Sequence, residues 1–86
     1  MRVEVLGCTW CEDTDRTREL LEKVGITYEF VDLDLSQEDE ARAASFNNGV
    51  CRTPTVIFHE YDKVLVEPSD EQPYALLQET GFIPKD

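Results

Sequence analysis

Two cysteines, Cys8 and Cys11, lie between a segment that predicts a strand and a segment that predicts a helix. Residues 2–6 alternate between polar and apolar side chains and include two valines, which is typical of a short strand. Residues 11–24 predict a helix, because acidic residues crowd its first turn and Gly25 follows its end. The cysteine pair is therefore expected at the start of a helix that follows a strand directly.

The rest of the 86-residue chain continues the alternation of strands and helices. Strands are predicted at 26–33, 55–58 and 63–66, and helices at 37–47 and 71–80. Ser36 is a suitable N-cap for the second helix. The residues expected to face the core from the last two helices are Ala41, Ala44, Phe46, Tyr74, Leu76 and Leu77. The order βαβαββα predicts one α/β domain over residues 1–86, with a mixed four-stranded sheet flanked by helices.

The position of the cysteine pair predicts redox chemistry. A thiolate is the form of cysteine that attacks a disulfide, and the unpaired N–H groups at a helix N-terminus stabilise an anion. We expect Cys8, just before the helix, to have the lowered pKa and to attack, and Cys11, in the first turn, to resolve the mixed disulfide. The charges of Glu12 and Asp13 oppose this activation. Trp10 either covers the pair and offers a flat contact to a substrate, or is a surface aromatic without that role.

The net charge of the chain makes some classes of partner unfavourable. Its net charge is −11, from 8 basic and 19 acidic residues, which disfavours binding to nucleic acid or to an anionic membrane. The chain has no apolar run of transmembrane length, and the apolar stretch at its start is too short for a signal peptide. We therefore expect a cytoplasmic protein.

The third cysteine, Cys51, makes a structural disulfide framework improbable, because the number of cysteines is odd. We interpret Cys51 as a small, partly buried apolar residue. A competing hypothesis is a metal site in which Cys8, Cys11 and Cys51 are ligands, with His59 as a fourth, although we expect no metal.

The dipeptide Thr53-Pro54 precedes the predicted central strand. A cis proline there would leave the backbone N–H and C=O of Thr53 unpaired, so that an extended thiol substrate could bind to them. An ordinary proline at the start of a strand explains the same dipeptide. Arg52 next to it either meets a carboxylate of a substrate or is a solvated loop residue.

Nearly the whole chain resembles the glutaredoxin family of the thioredoxin fold, and within it most closely the actinobacterial mycoredoxins. The segments that carry the resemblance are Cys8 to Cys11, Leu21 to Asp32, Asn48 to Val56 and Pro68 to Asp70. The resemblance implies that Pro54 is cis and faces the cysteines, and that Thr53 pairs through its backbone with a thiol cofactor. It also implies that Asp70, with Ser69 beside it, holds the polar end of that thiol.

The same resemblance implies a monomeric enzyme that reduces mixed disulfides or protein disulfides. A low-molecular-weight thiol, mycothiol or glutathione, would be its reductant. Three alternatives stay open on the sequence alone. The chain could be a redoxin that takes electrons from thioredoxin reductase and passes them to ribonucleotide reductase, the metal-binding module described above, or a regulator that senses redox state without turnover.

Overall fold

The structure, a computed structural model, describes residues 2–69 and 71–81. Its strands are β1 (Val3–Gly7), β2 (Glu29–Asp32), β3 (Thr55–Phe58) and β4 (Lys63–Val66). Its α-helices are α1 (Glu12–Lys23), α2 (Gln37–Ser45) and α3 (Glu71–Glu79), and short 3₁₀ turns cover Leu33–Leu35 and His59–Tyr61. Among these described residues no helix is long and apolar enough to span a bilayer.

The four strands form one mixed sheet in the order β2-β1-β3-β4. Strand β1 pairs with β2 in parallel and with β3 antiparallel, and β3 and β4 form an antiparallel hairpin. The parallel pair is joined through α1, as a βαβ unit requires. The predicted α/β fold, of the thioredoxin type, is therefore confirmed.

Alternation along β1 and β3 divides the core between the two faces of the sheet. One cluster joins these strands to α1 and α3, and its buried members are Val3, Val5, Leu21, Ile26, Val56, Phe58, Leu76 and Leu77. The other joins the same strands to α2, and its buried members are Leu6, Leu33, Ala43 and Ile57. Helices therefore cover both faces, as predicted.

The predicted boundaries of the helices agree with the structure to within two residues. Helix α1 ends at Lys23, and Gly25 follows with φ +81°, a left-handed conformation that favours glycine. Helix α2 begins after Ser36, whose hydroxyl accepts a hydrogen bond from the N–H of Asp39 at 3.2 Å. The predicted N-cap is thus confirmed.

Three residues that were predicted to face the core do not face it in the structure. Ala41, Phe46 and Tyr74 are exposed, whereas Ala43 and Pro73 are buried in their place. Helix α2 has only nine residues and presents a narrow apolar surface to the sheet. Phe46 follows the last residue of α2, so helical periodicity no longer determines its direction there.

A buried carboxylate lies on the α2 side of the sheet. Glu4 in β1 is buried, and its two oxygens accept hydrogen bonds from Arg42 at 3.2 and 2.8 Å. One oxygen also contacts Nε2 of His59, and Arg2 lies 3.6 Å away. The sequence alone did not indicate this cluster, because its members come from three separate parts of the chain.

Candidate active site

The two cysteines of the pair lie on either side of the junction between β1 and α1. Cys8 follows the last residue of β1, and Cys11 is the N-cap of α1. The N–H of Cys11 donates to the C=O of Cys8 at 3.3 Å, which closes the turn between them. The prediction that Cys11 lies inside the first helical turn is therefore wrong by one position.

Thr53 brings the loop before β3 to both sulfurs. Its hydroxyl oxygen lies 4.0 Å from Sγ of Cys8, which donates to it, and 3.6 Å from Sγ of Cys11. The peptide bond between Thr53 and Pro54 is cis, as the resemblance implied, and Pro54 is buried. Among the described residues no hydrogen bond engages the backbone N–H or C=O of Thr53. The site therefore combines two sulfurs, one shared hydroxyl and an unpaired stretch of backbone.

The acidity of the two thiols is the reverse of what we expected from the sequence. The backbone N–H of Thr14 is the main cause that lowers the pKa of Cys11, with smaller contributions from Thr53 and from the N–H of Asp13. Burial raises the pKa of Cys8, whose residue is only 3% exposed, and the nearby Cys11 adds to this. Cys11 is the N-cap of α1, next to the first N–H groups of the helix, although its side chain accepts no capping hydrogen bond.

Trp10 is an exposed aromatic residue beside the pair. The residue is 75% exposed, and its Nε1 donates a hydrogen bond of 2.7 Å to Oδ2 of Asp34. Asp34 lies in the 3₁₀ turn after β2, and its charge contributes to the raised pKa of Cys8. Asp34 was not predicted, since nothing in its local sequence connects it with the cysteines.

Arg52 and Ser69, the other predicted binding residues that the structure describes, form no hydrogen bond with either sulfur. Arg52 is exposed and forms an ion pair of 3.6 Å with Glu67. Ser69 is exposed, and its N–H donates to Oε1 of Gln72 at 3.0 Å in the first turn of α3. Asp70 lies outside the described residues.

Cys51 is half-buried against the cluster formed with α2, and within the described residues no hydrogen bond joins its sulfur to Cys8 or Cys11. Burial is the main cause that raises the pKa of its thiol, which fits the interpretation of Cys51 as a small apolar residue. Within the described part of the chain, no three His, Cys, Asp or Glu side chains are grouped so that they could hold a metal ion.

Comparison with known proteins agrees with this geometry. The family model described as Glutaredoxin matches residues 3–61, which is more than half of the chain. No curated protein matches the chain.

Solved structures with the same fold cover most of the chain at low sequence identity. A glutaredoxin from Archaeoglobus fulgidus has a TM-score of 0.76 at 22% identity, over 88% of this chain and 85% of its own. The glutaredoxin-like protein NrdH-redoxin from Escherichia coli has a TM-score of 0.68 at 22% identity, over 88% and 95%. A wheat glutaredoxin has a TM-score of 0.66 at 20% identity, over 92% and 72%. With the family model matched over both cysteines and the cis proline, the chain belongs to the glutaredoxin family.

Proposed function

We propose that this chain is a dithiol disulfide reductase in which Cys8 and Cys11 alternate between a dithiol and a disulfide. Membership of the glutaredoxin family supports thiol–disulfide oxidoreductase activity in general. The observation that supports a dithiol mechanism in particular is the position of two free thiols around the hydroxyl of Thr53. Two sulfurs that share one contact at 3.6 and 4.0 Å are close enough to act on the same substrate.

Reduction of the substrate takes two exchange steps in the proposed cycle. The Cys8 thiolate attacks one sulfur of the substrate disulfide, forms a mixed disulfide and releases the first substrate thiolate. The Cys11 thiolate then attacks the sulfur of Cys8 and releases the second substrate sulfur, which leaves a disulfide between Cys8 and Cys11. Two molecules of a low-molecular-weight thiol supply the two electrons that restore the dithiol, and they leave as their own disulfide.

The order of attack follows the family resemblance, although helix N–H groups lower the pKa of Cys11 and burial raises the pKa of Cys8, so a thiolate on Cys11 and a thiolate on Cys8 are two states of the pair. Thr53 offers a route between the two states, because Cys8 donates to its hydroxyl and the same hydroxyl contacts Cys11. A proton that passes from Cys8 to Thr53 while the proton of Thr53 passes to Cys11 leaves the thiolate on Cys8. The two thiols then titrate as a coupled pair.

The residues around the pair define the proposed substrate site. The free backbone of Thr53 next to Pro54 suits an extended thiol or peptide, and the exposed indole of Trp10 offers an apolar surface beside it. Arg52, Ser69 and Asp70 are proposed to contact the polar end of a small thiol such as mycothiol or glutathione. A monomer in the cytoplasm stays the prediction for the state of the protein.

A reduction assay with cysteine variants tests this function. The wild type is expected to reduce both a mixed disulfide of a small thiol and a protein disulfide. Cys8→Ser should abolish both activities, and Cys11→Ser should abolish only the second. Cys51→Ala is the matched control and should behave as the wild type, because Cys51 packs against the α2 cluster and contacts neither Cys8 nor Cys11 through a described hydrogen bond. Full turnover by Cys8→Ser would contradict the proposed role of Cys8.

The same assay identifies the reductant when glutathione, mycothiol, and thioredoxin reductase with NADPH are supplied in parallel. Reduction by a small thiol supports the proposal as stated. Reduction by thioredoxin reductase alone would instead support the redoxin alternative, in which ribonucleotide reductase accepts the electrons.

A further inference from the structure

Glu67, the residue after strand β4, has a backbone conformation that is unusual for its side chain. Its φ is +47°, in the left-handed region that favours glycine. The other non-glycine residues with positive φ in the described chain are Asn48 and Asp62, whose short side chains tolerate this region. A longer side chain held there indicates that the contacts around it compensate for the strain, and such residues cluster at functional sites.

The contacts of Glu67 lead to the loop that carries the cis proline. Its N–H donates a hydrogen bond of 2.8 Å to the C=O of Pro54, and its Oε2 lies 3.6 Å from Nη1 of Arg52. Pro54 and Arg52 are the two chain neighbours of Thr53, whose hydroxyl lies at both sulfurs. Glu67 therefore contacts the chain on both sides of the residue that carries the proposed substrate-binding backbone.

Arg52 is the cation that a substrate carboxylate would meet at this loop. A guanidinium offers a planar set of N–H donors that suits a carboxylate, and the Arg52 side chain is 54% exposed, so a small molecule can reach it. The carboxylate of Glu67 already lies beside this guanidinium. A substrate carboxylate must displace it, and the displaced side chain then stays nearby as a like charge. A neutral substrate requires no displacement.

We propose that Glu67 is a specificity-determining residue: its carboxylate occupies Arg52 as an internal counterion, so that the site selects neutral small thiols against those with a carboxylate near the sulfur. The inference rests on the proposed function, because it names the substrate class of the same site. Glu67 acts through Arg52 and takes no part in the exchange of sulfurs.

The test compares two disulfides that differ only in charge, the disulfide of mercaptopropionic acid and the disulfide of its amide. Each reacts with the single cysteine of the Cys11→Ser/Cys51→Ala protein. The Cys8 thiolate bonds to one sulfur of the disulfide, and the other sulfur leaves as a thiolate. Mass spectrometry of quenched samples gives both rate constants, and their ratio, acid over amide, is the measured quantity. Turnover is not needed.

Glu67→Gln should raise this ratio by about two- to fivefold, the range expected for an exposed ion pair. Glu67→Gly, which suits the positive φ and also removes the carboxylate, should raise it in the same direction. The matched control is Glu29→Gln, since Glu29 is also paired with an arginine but lies beside Glu4, at the other end of β1 from the cysteines. This control should leave the ratio unchanged.

The double variant Arg52→Gln/Glu67→Gln separates occupation of Arg52 from simple repulsion by Glu67. If Glu67 acts by occupying Arg52, Glu67→Gln should raise the ratio more when Arg52 is present than in the Arg52→Gln background. Equal effects in the two backgrounds, an unchanged ratio in Glu67→Gln, or an equal rise in Glu29→Gln would each overturn the inference.

The wild type distinguishes failure of this inference from failure of the proposed function. The expected ratios in the single-cysteine variants, together with a wild type that reduces no disulfide catalytically, would leave the inference intact and refute the proposed function. Catalytic reduction by the wild type with ratios that do not respond to Glu67 would do the reverse. A Cys8 that reacts with neither disulfide would overturn both.

Discussion

Glu4 places an ionised carboxylate in a central strand of the sheet, where its residue is only 4% exposed. A buried charge of this kind is tolerated when it is paired and hydrogen-bonded. Here Arg42 supplies two hydrogen bonds and His59 a third contact, and the bonds from Arg42 are the main cause that lowers the pKa of Glu4 to about 2. The carboxylate is therefore more stable as an anion in the folded chain than in the unfolded one.

Glu4→Gln is expected to remove a pH-dependent part of the stability. Because the pKa of Glu4 falls from 4.5 to about 2, its contribution is complete above 4.5 and is lost as the pH falls toward 2. This difference corresponds to roughly 3 kcal/mol as an upper limit, reduced by the partial exposure of Arg42. Urea unfolding at pH 7 should show the variant less stable than the wild type by about 2 kcal/mol, and the gap should close near pH 2.

Glu29→Gln is the matched control for this measurement. Its carboxylate pairs with Arg2 at 3.3 Å on the surface, where both side chains are 60% exposed, so removing the charge should change stability little at any pH. If the difference in unfolding free energy between Glu4→Gln and the wild type stayed constant from pH 7 to pH 2, the negative charge of Glu4 would not be what stabilises the fold.

At the scale of the elements, the sequence pattern was sufficient to predict all strands and α-helices and the mixed sheet, because alternation and helix caps are local signals. The family resemblance, rather than the local pattern, implied that Pro54 and Thr53 lie beside Cys8 and Cys11, and the structure has the Thr53 hydroxyl at both sulfurs. The sequence pattern failed where a single position decides the chemistry. Moving the start of α1 from residue 11 to Glu12 turns Cys11 into the N-cap and gives it, instead of Cys8, the free N–H groups of the helix.

The contacts of Asp34 with Trp10, and of Arg42 with Glu4, could not be predicted for a different reason. The first contact joins residues 24 positions apart along the chain, and the second joins residues 38 positions apart. In neither case does the residue type indicate its partner. Such contacts follow from the packing of whole elements, which a periodic pattern does not specify. The same holds for the narrow apolar face of α2, which buries Ala43 and leaves Ala41 exposed.

The close packing of β1 against α1 leads to a prediction about the junction that carries the cysteines. Gly7→Ala adds a Cβ that would lie 2.5 Å from Oγ1 of Thr14, so the Thr14 side chain or one of the two elements must shift. Overpacking of this kind typically destabilises a protein by about 1 to 3 kcal/mol. Chemical unfolding of the two single variants and the double variant Gly7→Ala/Thr14→Ala measures the coupling.

Part of the loss should be recovered in that double variant, since the smaller side chain at position 14 makes room for the new methyl group. Additive effects of the two substitutions would show that the contact does not limit this junction.

At the scale of the whole molecule, charge is the dominant feature. A net charge of −11 on 86 residues creates a negative potential around the entire chain. The exposed residues Glu12, Asp13 and Asp34 continue this potential next to the cysteine pair. Encounter with a negatively charged disulfide is therefore opposed and encounter with a positively charged one is favoured, independently of the exchange chemistry itself.

Reduction rates should accordingly depend on the charge of the substrate and on salt. Consider three peptides with the same central disulfide, flanked by lysines, by serines or by glutamates. At about 10 mM salt, where the Debye length is near 30 Å, the lysine peptide should react roughly tenfold faster than the glutamate peptide, with the serine peptide between them. At about 1 M salt the Debye length falls to roughly 3 Å and the three rates should converge.

Stopped-flow measurement of the second-order rate constants from about 10 mM to about 1 M salt checks the order of the three rates. A faster reaction of the glutamate peptide at low salt would contradict this expectation. It would show that cations close to the site, such as Arg52 next to Thr53, outweigh the net negative charge of the chain. Since a thiolate is negative, the salt dependence should also steepen as the pH rises and the cysteine pair ionises.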